Sequence, residues 1–513
     1  MSSRTKSKKS IIFIWIIACI VVVGIAAQLF FSYKVKSALA EQLPENITLD
    51  YADLSTNVFL GNIALENVEV NITDGNTQVL ANKLAVNSIG YLSLLSGNTV
   101  ELGEIHLEEP KIVLKQQPSD TLKEPASAPN NAPKLLIKKV KVDQGELTIR
   151  NSITDSVLLS AKAIDINLSQ LELDPKSTSN QPPFTLEEYE FAAQDLYFDV
   201  SPYEFMRCKQ VQLSNELGAI ENIQFQSKYS PEKLATLLSV QHDHFDVTVD
   251  KIQITKPDIF GNTGPKLFTP LLEVQSPKIM VRRNTLLPPN TIIKKMPNQM
   301  LREMPAELKI DSLSVTDGEV NFYKKTMPDV EPHKMALTSI NSQIKNLNNT
   351  GDGIVVVTGQ HQVMGDGNFT LEYTFDPQSE DNSFLAKVSM SDFHTKKISP
   401  FMRSTLDVEV DGTIQQMYYT IDGNEWTSRG EMKMKYDQFK FIALKKDHLT
   451  VNKFKSGVAN LLTKKGDRKA DEDGFRHGQF EVDRDRTKWV LNYIWINMRT
   501  GMFHTMVGRG KEK

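Results

Sequence analysis

The sequence predicts a mainly β protein that is held in a membrane by one N-terminal helix. Three observations support this fold class. Residues 11–31 form an uncharged apolar run, apolar and polar residues alternate over most of the remaining chain, and one strand pattern with a fixed break recurs. Alternation of period two is typical of strands that are buried on one face. We expect an elongated, curled antiparallel β-sheet that forms a groove, with a few short helices and an amphipathic C-terminal helix.

The apolar run at 11–31 predicts a membrane span. Gln28 is its one strongly polar side chain. A helix rises about 1.5 Å per residue, so the run would be about 30 Å long, which matches the hydrocarbon core of a bilayer. The basic residues close to the run are Arg4, Lys6, Lys8 and Lys9 before it, and Lys34 and Lys36 after it. The positive-inside rule therefore places the N-terminus in the cytoplasm and the bulk of the chain outside it.

A cleavage site is the alternative at this end of the chain. Ala38, Leu39 and Ala40 fit an A-x-A pattern. The apolar run is longer than the roughly 7–15 residues of a signal peptide, which favours a retained anchor. Whether the chain is cut after Ala40 stays open at this point.

The charge and cysteine content of the chain limit which partners and which cross-links we expect. The net charge is −4, with 59 basic and 63 acidic residues, and the sequence contains no long basic stripe beyond the N-terminus. Nucleic acid is therefore not an expected partner. Cys19 lies in the apolar run and Cys208 is alone beyond it, so we expect no internal disulfide in the exported part.

One strand pattern recurs after the anchor. Two apolar residues at alternate positions are followed by a break position and then by two more alternating apolar residues. The copies are Ile63, Leu65, Val68, Val70 and Ile72; Ile105, Leu107, Pro110, Ile112 and Leu114; Val140, Val142, Gly145, Leu147 and Ile149; Ile252, Ile254, Pro257 and Ile259, ending at Gly261; Leu272, Val274, Pro277, Ile279 and Val281; and Leu313, Val315, Gly318, Val320 and Phe322.

The break position explains how both halves of a copy keep one face. The step across it is odd, so a regular strand would turn its second half to the other side of the sheet. Pro or Gly stands there in nearly every copy and permits a turn or bulge. Residues 137–149 and 310–322 are similar in detail, which indicates an internal duplication. Because the copies are irregularly spaced, a strict solenoid is not expected.

The other elements follow from local signals. Ser before Pro predicts short helices starting near Ser201, Ser230 and Ser399. After Gly353, strands in antiparallel pairs are expected at 354–363, 368–375, 384–390, 406–415, 417–423, 430–436 and 439–444. The resulting regions are a cytoplasmic tail at 1–9, the anchor at 10–32, an N-terminal β-region at 33–117, a Pro/Ala-rich loop at 118–133, a central repeated β-region at 134–350, a C-terminal β-region at 351–450, and C-terminal helices with a charged loop at 451–513.

A sheet with one apolar face must cover that face. A second layer can close over it as in a sandwich, or the sheet can curl into a trough that holds lipid, and periodicity fits both. If the groove exists, its lining candidates are the apolar residues of the repeated strands: Ile63, Leu65, Val70, Ile105, Leu107, Ile112, Leu114, Val140, Val142, Leu147, Ile149, Leu313, Val315, Val320 and Phe322.

The C-terminal residues 487–508 are rich in Trp and Met. Trp489, Tyr493, Trp495 and Phe503 are candidates for contact with a membrane interface, since basic residues lie nearby. The alternative is a helix that plugs the end of the β-structure.

The chain resembles the AsmA-like family of envelope proteins. The resemblance rests on the anchor leading into 33–43, then on residues 54–68, 86–97 and 104–113, the Pro/Ala-rich gap, residues 137–149, and the C-terminal stretches 408–412, 423–424 and 430–437. It implies a single-pass inner-membrane protein with a periplasmic β-groove, a Gram-negative source, and a role in lipid transport or outer-membrane homeostasis. The chain is short beside the long members thought to bridge two membranes.

Catalytic motifs are not found in the sequence, and we expect neither an enzyme nor a cofactor. His242 and His244 are two possible metal ligands without a third, so no metal site is predicted. The expected function is lipid binding or transfer, with phospholipid or another membrane lipid as the partner. The alternative is a non-catalytic envelope scaffold with closed β-sandwich domains that binds membrane proteins.

Overall fold

A computed structural model describes residues 46–57, 60–72, 76–90, 99–116, 134–174, 184–260, 264–328, 330–444 and 471–507. The predicted anchor at 11–31 and the predicted loop at 118–133 lie outside these ranges. Among the helices of the described ranges, none combines the length and the apolar character needed to cross a bilayer.

Strands dominate the described residues, which confirms the mainly β part of the prediction, and they are assigned to one mixed sheet. The first strands are β1 (Ile47–Asp50), β2 (Asp53–Asn57), β3 (Asn62–Ile72), β4 (Thr77–Ile89), β5 (Thr99–Glu108), β6 (Lys111–Gln116), β7 (Lys134–Asn151), β8 (Val157–Leu173), β9 (Phe184–Thr185), β10 (Glu188–Asp199), β11 (Glu204–Ser214) and β12 (Leu217–Ser227). The remaining strands are β13 (Asp243–Thr255), β14 (Asp258–Phe260), β15 (Pro265–Gln275), β16 (Lys278–Asn284), β17 (Glu307–Lys325), β18 (Lys334–Asn348), β19 (Val355–Val363), β20 (Asp366–Phe375), β21 (Phe384–His394), β22 (Val408–Gly423), β23 (Thr427–Ala443) and β24 (Arg476–Asp483).

The helices of the described residues are α1 (Pro231–Leu237), α2 (Pro297–Arg302), α3 (Ser399–Leu406) and α4 (Val490–Val507), with a 3-10 turn at Thr395–Lys397. The predicted helix at Ser230 is confirmed, because its hydroxyl accepts a hydrogen bond from the amide of Lys233 at 3.3 Å. The helix at Ser399 is confirmed too. The helix predicted at Ser201 is wrong, because that hydroxyl accepts from the amides of Tyr203 and Glu204 in the turn between β10 and β11.

The chain divides into two compact units. Unit 1 contains the described residues up to Ile223, with Ile252–Thr269 and Pro305–Glu307, and unit 2 contains Gln224–Lys251, Pro270–Met304 and the described residues from Leu308 onward. In unit 1 the apolar side chains of the strands pack against one another in two clusters. In unit 2 one large cluster lies between β19–β24 and the helices.

Every copy of the repeated pattern bends directly before its break position. The residue there has a positive φ in each copy: Asn67 (47°), Glu109 (49°), Gln144 (55°), Lys256 (46°), Ser276 (47°) and Asp317 (53°). The pairing of β7 with β8 and of β17 with β18 shifts register at Gly145 and Gly318. A left-handed residue combined with a register shift is a β-bulge, and it restores the face of the second half. The predicted turn or bulge is therefore confirmed.

The predicted antiparallel sheet is wrong at two places, where successive copies of the pattern pair in parallel. The two halves of the Pro110 copy, in β5 and β6, run parallel to β7. Likewise β16, which follows Pro277, runs parallel to β17. In both places the proline ring faces the glycine of the next copy, with 3.3 Å between the proline Cγ and the ideal Cβ position of Gly145 or Gly318. Alternation specifies which face a residue occupies but not the direction of the neighbouring strand, so the sequence did not reveal this pairing.

Candidate functional site

The predicted groove residues of unit 1 are largely core residues. Leu65, Val70, Ile105, Leu107 and Val140 lie in one cluster and are at most 4% exposed. Leu147 and Ile149 lie in the second cluster and are at most 2% exposed. The half-buried candidates pack against these clusters: Ile63, Ile112, Leu114 and Val142. In the described residues, these positions of unit 1 therefore lie in or against packed apolar clusters.

The groove candidates of unit 2 are more accessible. Leu313, Val315, Val320 and Phe322 are all half-buried. Phe322 packs against the large cluster and its ring centroid lies 6.3 Å from that of Phe401 in α3. The other three belong to none of the three clusters formed by the described residues. These three apolar side chains are therefore not part of a packed core of the described residues.

Strand pairing extends these side chains into two rows across β13, β16, β17 and β18. We call them the apolar rows. The first consists of Val247, Ile279, Val320 and Leu337, and the second of Phe245, Val281, Phe322 and Met335. All eight side chains are half-buried. Neighbouring strands are about 4.8 Å apart, so the rows make an apolar face about 15 Å wide.

The covering of this face changes along the sheet. One register line joins Leu313, Ile344, Val357, Tyr373 and Ala386 on successive strands. The first three are half-buried, whereas Tyr373 and Ala386 are 6% and 0% exposed. The large cluster and its helices close the face over β20–β24, and the face toward β13 is the more open part.

A charged row follows the apolar rows on the same face. It consists of Asp243, Arg283 and Lys324, which are register partners on β13, β16 and β17. Arg283 donates from Nε and Nη2 to the two carboxylate oxygens of Asp243, at 2.7 Å each. Its guanidinium carbon lies 5.5 Å from the ring centroid of Phe322. The charged row therefore adjoins the apolar rows directly.

Lys324 is the cation of this row that has no counter-ion in the part of the chain that the structure describes. Among the described residues, no carboxylate lies within ion-pair distance of its ammonium group. Burial lowers the pKa of Lys324, and the neighbouring cations Arg283 and Lys488 lower it further. The hydrogen bond to Asp243 instead raises the pKa of Arg283. The charged row thus carries one compensated cation and one uncompensated, partly desolvated cation.

Sequence reasoning missed the charged row, although a signal was present. The alternation Ile279, Val281, Arg283 and the alternation Val320, Phe322, Lys324 each continue from apolar residues into a cation at the same period. The period of two places all three residues of each series on one face. A cation that ends an apolar series in two paired strands is the pattern that would have identified it.

The membrane-interface candidates divide into surface and core residues. Trp489 and Phe503 are 44% and 53% exposed, and Trp495 is half-buried against the large cluster. Tyr493 is 3% exposed and its ring centroid lies 5.9 Å from that of Phe384, so its side chain is part of the core. Leu491, which was not a candidate, is 73% exposed. The exposed apolar residues of α4 therefore lie away from the face that covers the sheet.

Three other features that could carry chemistry were found in the described residues. Within the described residues no three His, Cys, Asp or Glu side chains are grouped as metal ligands. Nε2 of His244 lies 3.1 Å from the carbonyl oxygen of Tyr229. Burial raises the pKa of the Cys208 thiol to about 11, which disfavours the reactive thiolate. A depression of about 790 Å³ on the polar face over β17–β22 is lined largely by Ser, Thr and Gln side chains.

Comparison of the sequence with protein-family models finds no match, and comparison with curated proteins finds no relative. The AsmA-like resemblance therefore stays a prediction from the sequence patterns.

Proposed function

We propose that the protein is a membrane-anchored, periplasmic lipid-binding or lipid-transfer protein, and that the apolar rows of unit 2 are its lipid-contacting surface. The observation that supports the proposal most directly is that all eight side chains of these rows are half-buried and that five of them belong to no cluster of the described residues: Val247, Ile279, Val320, Phe245 and Val281. An acyl chain would complete their burial. Each methylene removed from water contributes about 0.8 kcal/mol, so a chain in contact with several strands would bind appreciably.

The proposed location at a membrane follows from the sequence. A predicted span at 11–31 would hold the chain at a membrane, with its bulk outside the cytoplasm. The lipid of that membrane is then the apolar material at hand. The AsmA-like resemblance supports an inner-membrane anchor and a contribution to outer-membrane or envelope homeostasis. No catalytic step is proposed.

The test is lipid extraction from residues 43–513, exported to the periplasm and purified without detergent, followed by mass spectrometry. Phospholipid should co-purify with this protein. Val320→Asp should lower the bound lipid at least about tenfold, because a carboxylate would face the acyl chain. Thr316→Asp is the matched control, since Thr316 is exposed on the opposite face of the same strand, and it should retain lipid.

A second candidate function is the non-catalytic envelope scaffold with closed β-domains. The observation in its favour is the closed packing of unit 1, where Ile105 is 0% and Leu147 is 1% exposed. This reading expects a monodisperse, lipid-free ectodomain in the same experiment. A lipid-free ectodomain would therefore replace the lipid proposal with a search for membrane-protein partners.

A further inference from the structure

At one end, the apolar rows are followed directly by the charged row. Val281 and Phe322 occupy the last apolar positions of β16 and β17, and Arg283 and Lys324 come two residues later on the same face. A surface that changes from apolar to cationic within one residue pair matches a molecule that is apolar along its length and charged at one end.

We propose that the charged row binds the anionic head group of a lipid whose acyl chain lies along the apolar rows. The inference rests on the proposed lipid function and specifies its ligand class, an amphiphile with a phosphate or another oxyanion at its head. It also specifies orientation, with the head at Lys324 and the chain directed toward Val320.

Charge complementarity is the first argument for an anion. Asp243 neutralises Arg283 through a bidentate pair, and no carboxylate of the described residues lies within ion-pair distance of the Lys324 ammonium. Lys488 adds a further positive charge close enough to lower the pKa of Lys324. A neutral head group would leave this half-buried ammonium without a partner, whereas an oxyanion would pair with it. Charge-assisted hydrogen bonds of this kind are roughly twice as strong as neutral ones.

Hydrogen-bonding capacity is the second argument. A guanidinium has five N–H donors, and Arg283 uses Nε and Nη2 for Asp243. Nη1 makes no hydrogen bond to any of the described residues. The Asp243 pair fixes the plane of the guanidinium, and Arg283 and Lys324 are register partners on neighbouring strands. Two cationic groups are thus available to a single oxyanion.

The position of the row distinguishes a lipid from free phosphate. The Arg283 guanidinium lies over the ring of Phe322, which is itself one of the apolar rows. Free phosphate would gain nothing from the eight apolar side chains that lead to the site. A lipid would gain from both parts, and its acyl chain would fix the head group in place.

The experiment uses the full chain in detergent micelles and a pair of photoactivatable lipids with the same reactive acyl chain, phosphatidylglycerol and diacylglycerol. Labelling of the peptides from β16 and β17 is quantified by mass spectrometry. The wild-type protein should be labelled at least about fivefold more by phosphatidylglycerol. Lys324→Gln should remove this preference and keep the diacylglycerol labelling. Lys325→Gln is the matched control, since it removes the same charge from the opposite face of β17, and it should keep the preference.

The outcomes separate the two proposals. A preference that survives Lys324→Gln would overturn the head-group site while leaving lipid binding intact. Absence of labelling at β16 and β17 with both lipids would overturn the lipid function itself, and the head-group site with it. Inorganic phosphate, compared with chloride at equal ionic strength, tests the remaining source of an oxyanion. If phosphate abolishes the preference at concentrations comparable to the lipid, free phosphate is the ligand and the lipid assignment is wrong.

Discussion

The proline of the neighbouring copy leaves little space for a side chain at the break position, which is why glycine suits it. A Cβ at Gly145 would lie 3.3 Å from the Cγ of Pro110 and 3.4 Å from the Cβ of Ile164. The equivalent Cβ at Gly318 would lie 3.3 Å from Pro277 and 3.2 Å from Ile340. The same three-residue arrangement thus occurs in both units. It gives the duplication suggested by the sequence a structural counterpart at the level of single side chains.

Gly145→Val should therefore destabilise unit 1. The two methyl groups would be forced against Pro110 and Ile164 in a closed core, and overpacking of this kind costs typically 1–3 kcal/mol. Thermal unfolding followed by circular dichroism should show a lower midpoint. Gly264→Val is the control in the same unit, because nothing lies within 4 Å of its Cβ position. Equal midpoints for the two variants would contradict the Pro–Gly contact.

A half-buried histidine should make unit 2 sensitive to mild acid. Burial lowers the pKa of His361 below its ordinary value of 6.5, and its ring stacks on Phe369 with centroids 5.3 Å apart. The unfolded chain then binds a proton at higher pH than the folded chain. The stabilisation that neutral His361 contributes to the folded protein is fully present above about pH 6.5. It is lost as the pH falls from about 6.5 toward the pKa of His361 in the folded protein.

The measurement is the unfolding midpoint at about pH 7.5 and about pH 5.5. His361→Phe should reduce the drop between the two, because phenylalanine keeps the ring contact and has no proton to bind. His333→Asn, at an exposed position, should leave the drop as in the wild-type protein. An undiminished drop in His361→Phe would show that other groups cause the acid sensitivity.

Among the elements, α4 combines a core-facing stripe with an exposed apolar surface. The buried stripe consists of Tyr493, Asn497, Gly501 and Thr505, four residues apart along the helix. Ser428 of β23 donates to Oδ1 of Asn497 at 2.9 Å, and a Cβ at Gly501 would lie 2.8 Å from side-chain atoms of Met432 and Phe480. The helix therefore covers β23 and β24 closely. Its exposed apolar residues need a separate explanation.

Contact of α4 with a bilayer surface is that explanation within the proposed function. Trp489 and Leu491 are exposed, and the Nζ of Lys294 lies 5.3 Å from the ring centroid of Trp489. Aromatic and aliphatic groups beside lysines suit a membrane interface. Leu491→Glu should weaken sedimentation with vesicles containing anionic lipid about tenfold. Asn492→Glu adds the same charge at the next exposed position, and it should reduce sedimentation far less. An equal loss of sedimentation in both variants would mean that the added negative charge, and not the loss of the apolar contact, causes the effect.

For the molecule as a whole, the local sequence pattern predicted where the strands lie and which of their side chains share a face. It did not predict which other elements pack over that face. Leu147 and Val320 occupy the same position in similar copies, yet Leu147 is 1% exposed and Val320 is half-buried. The difference depends on which distant strands lie above each residue, and alternation carries no information on that. The bulges were predictable because Pro and Gly mark them in the sequence. The cations that end the apolar series of β16 and β17 are visible in the sequence, but their pairing with each other and with Asp243 of β13 is not.

The Pro–Gly contact also has a consequence for the order of folding. Strands β7 and β8 meet across the short turn at 151–156, where the amide of Asn151 donates to the carbonyl of Ser156 at 2.8 Å. The Pro110 copy reaches Gly145 only after the chain between Gln116 and Lys134 has closed a longer loop. Loop closure costs more entropy as the loop lengthens, so we expect the hairpin that carries the glycine bulge to form first and the proline strand to dock on it afterward. In that order, the bulge would be a template whose shape is complete before its parallel partner arrives.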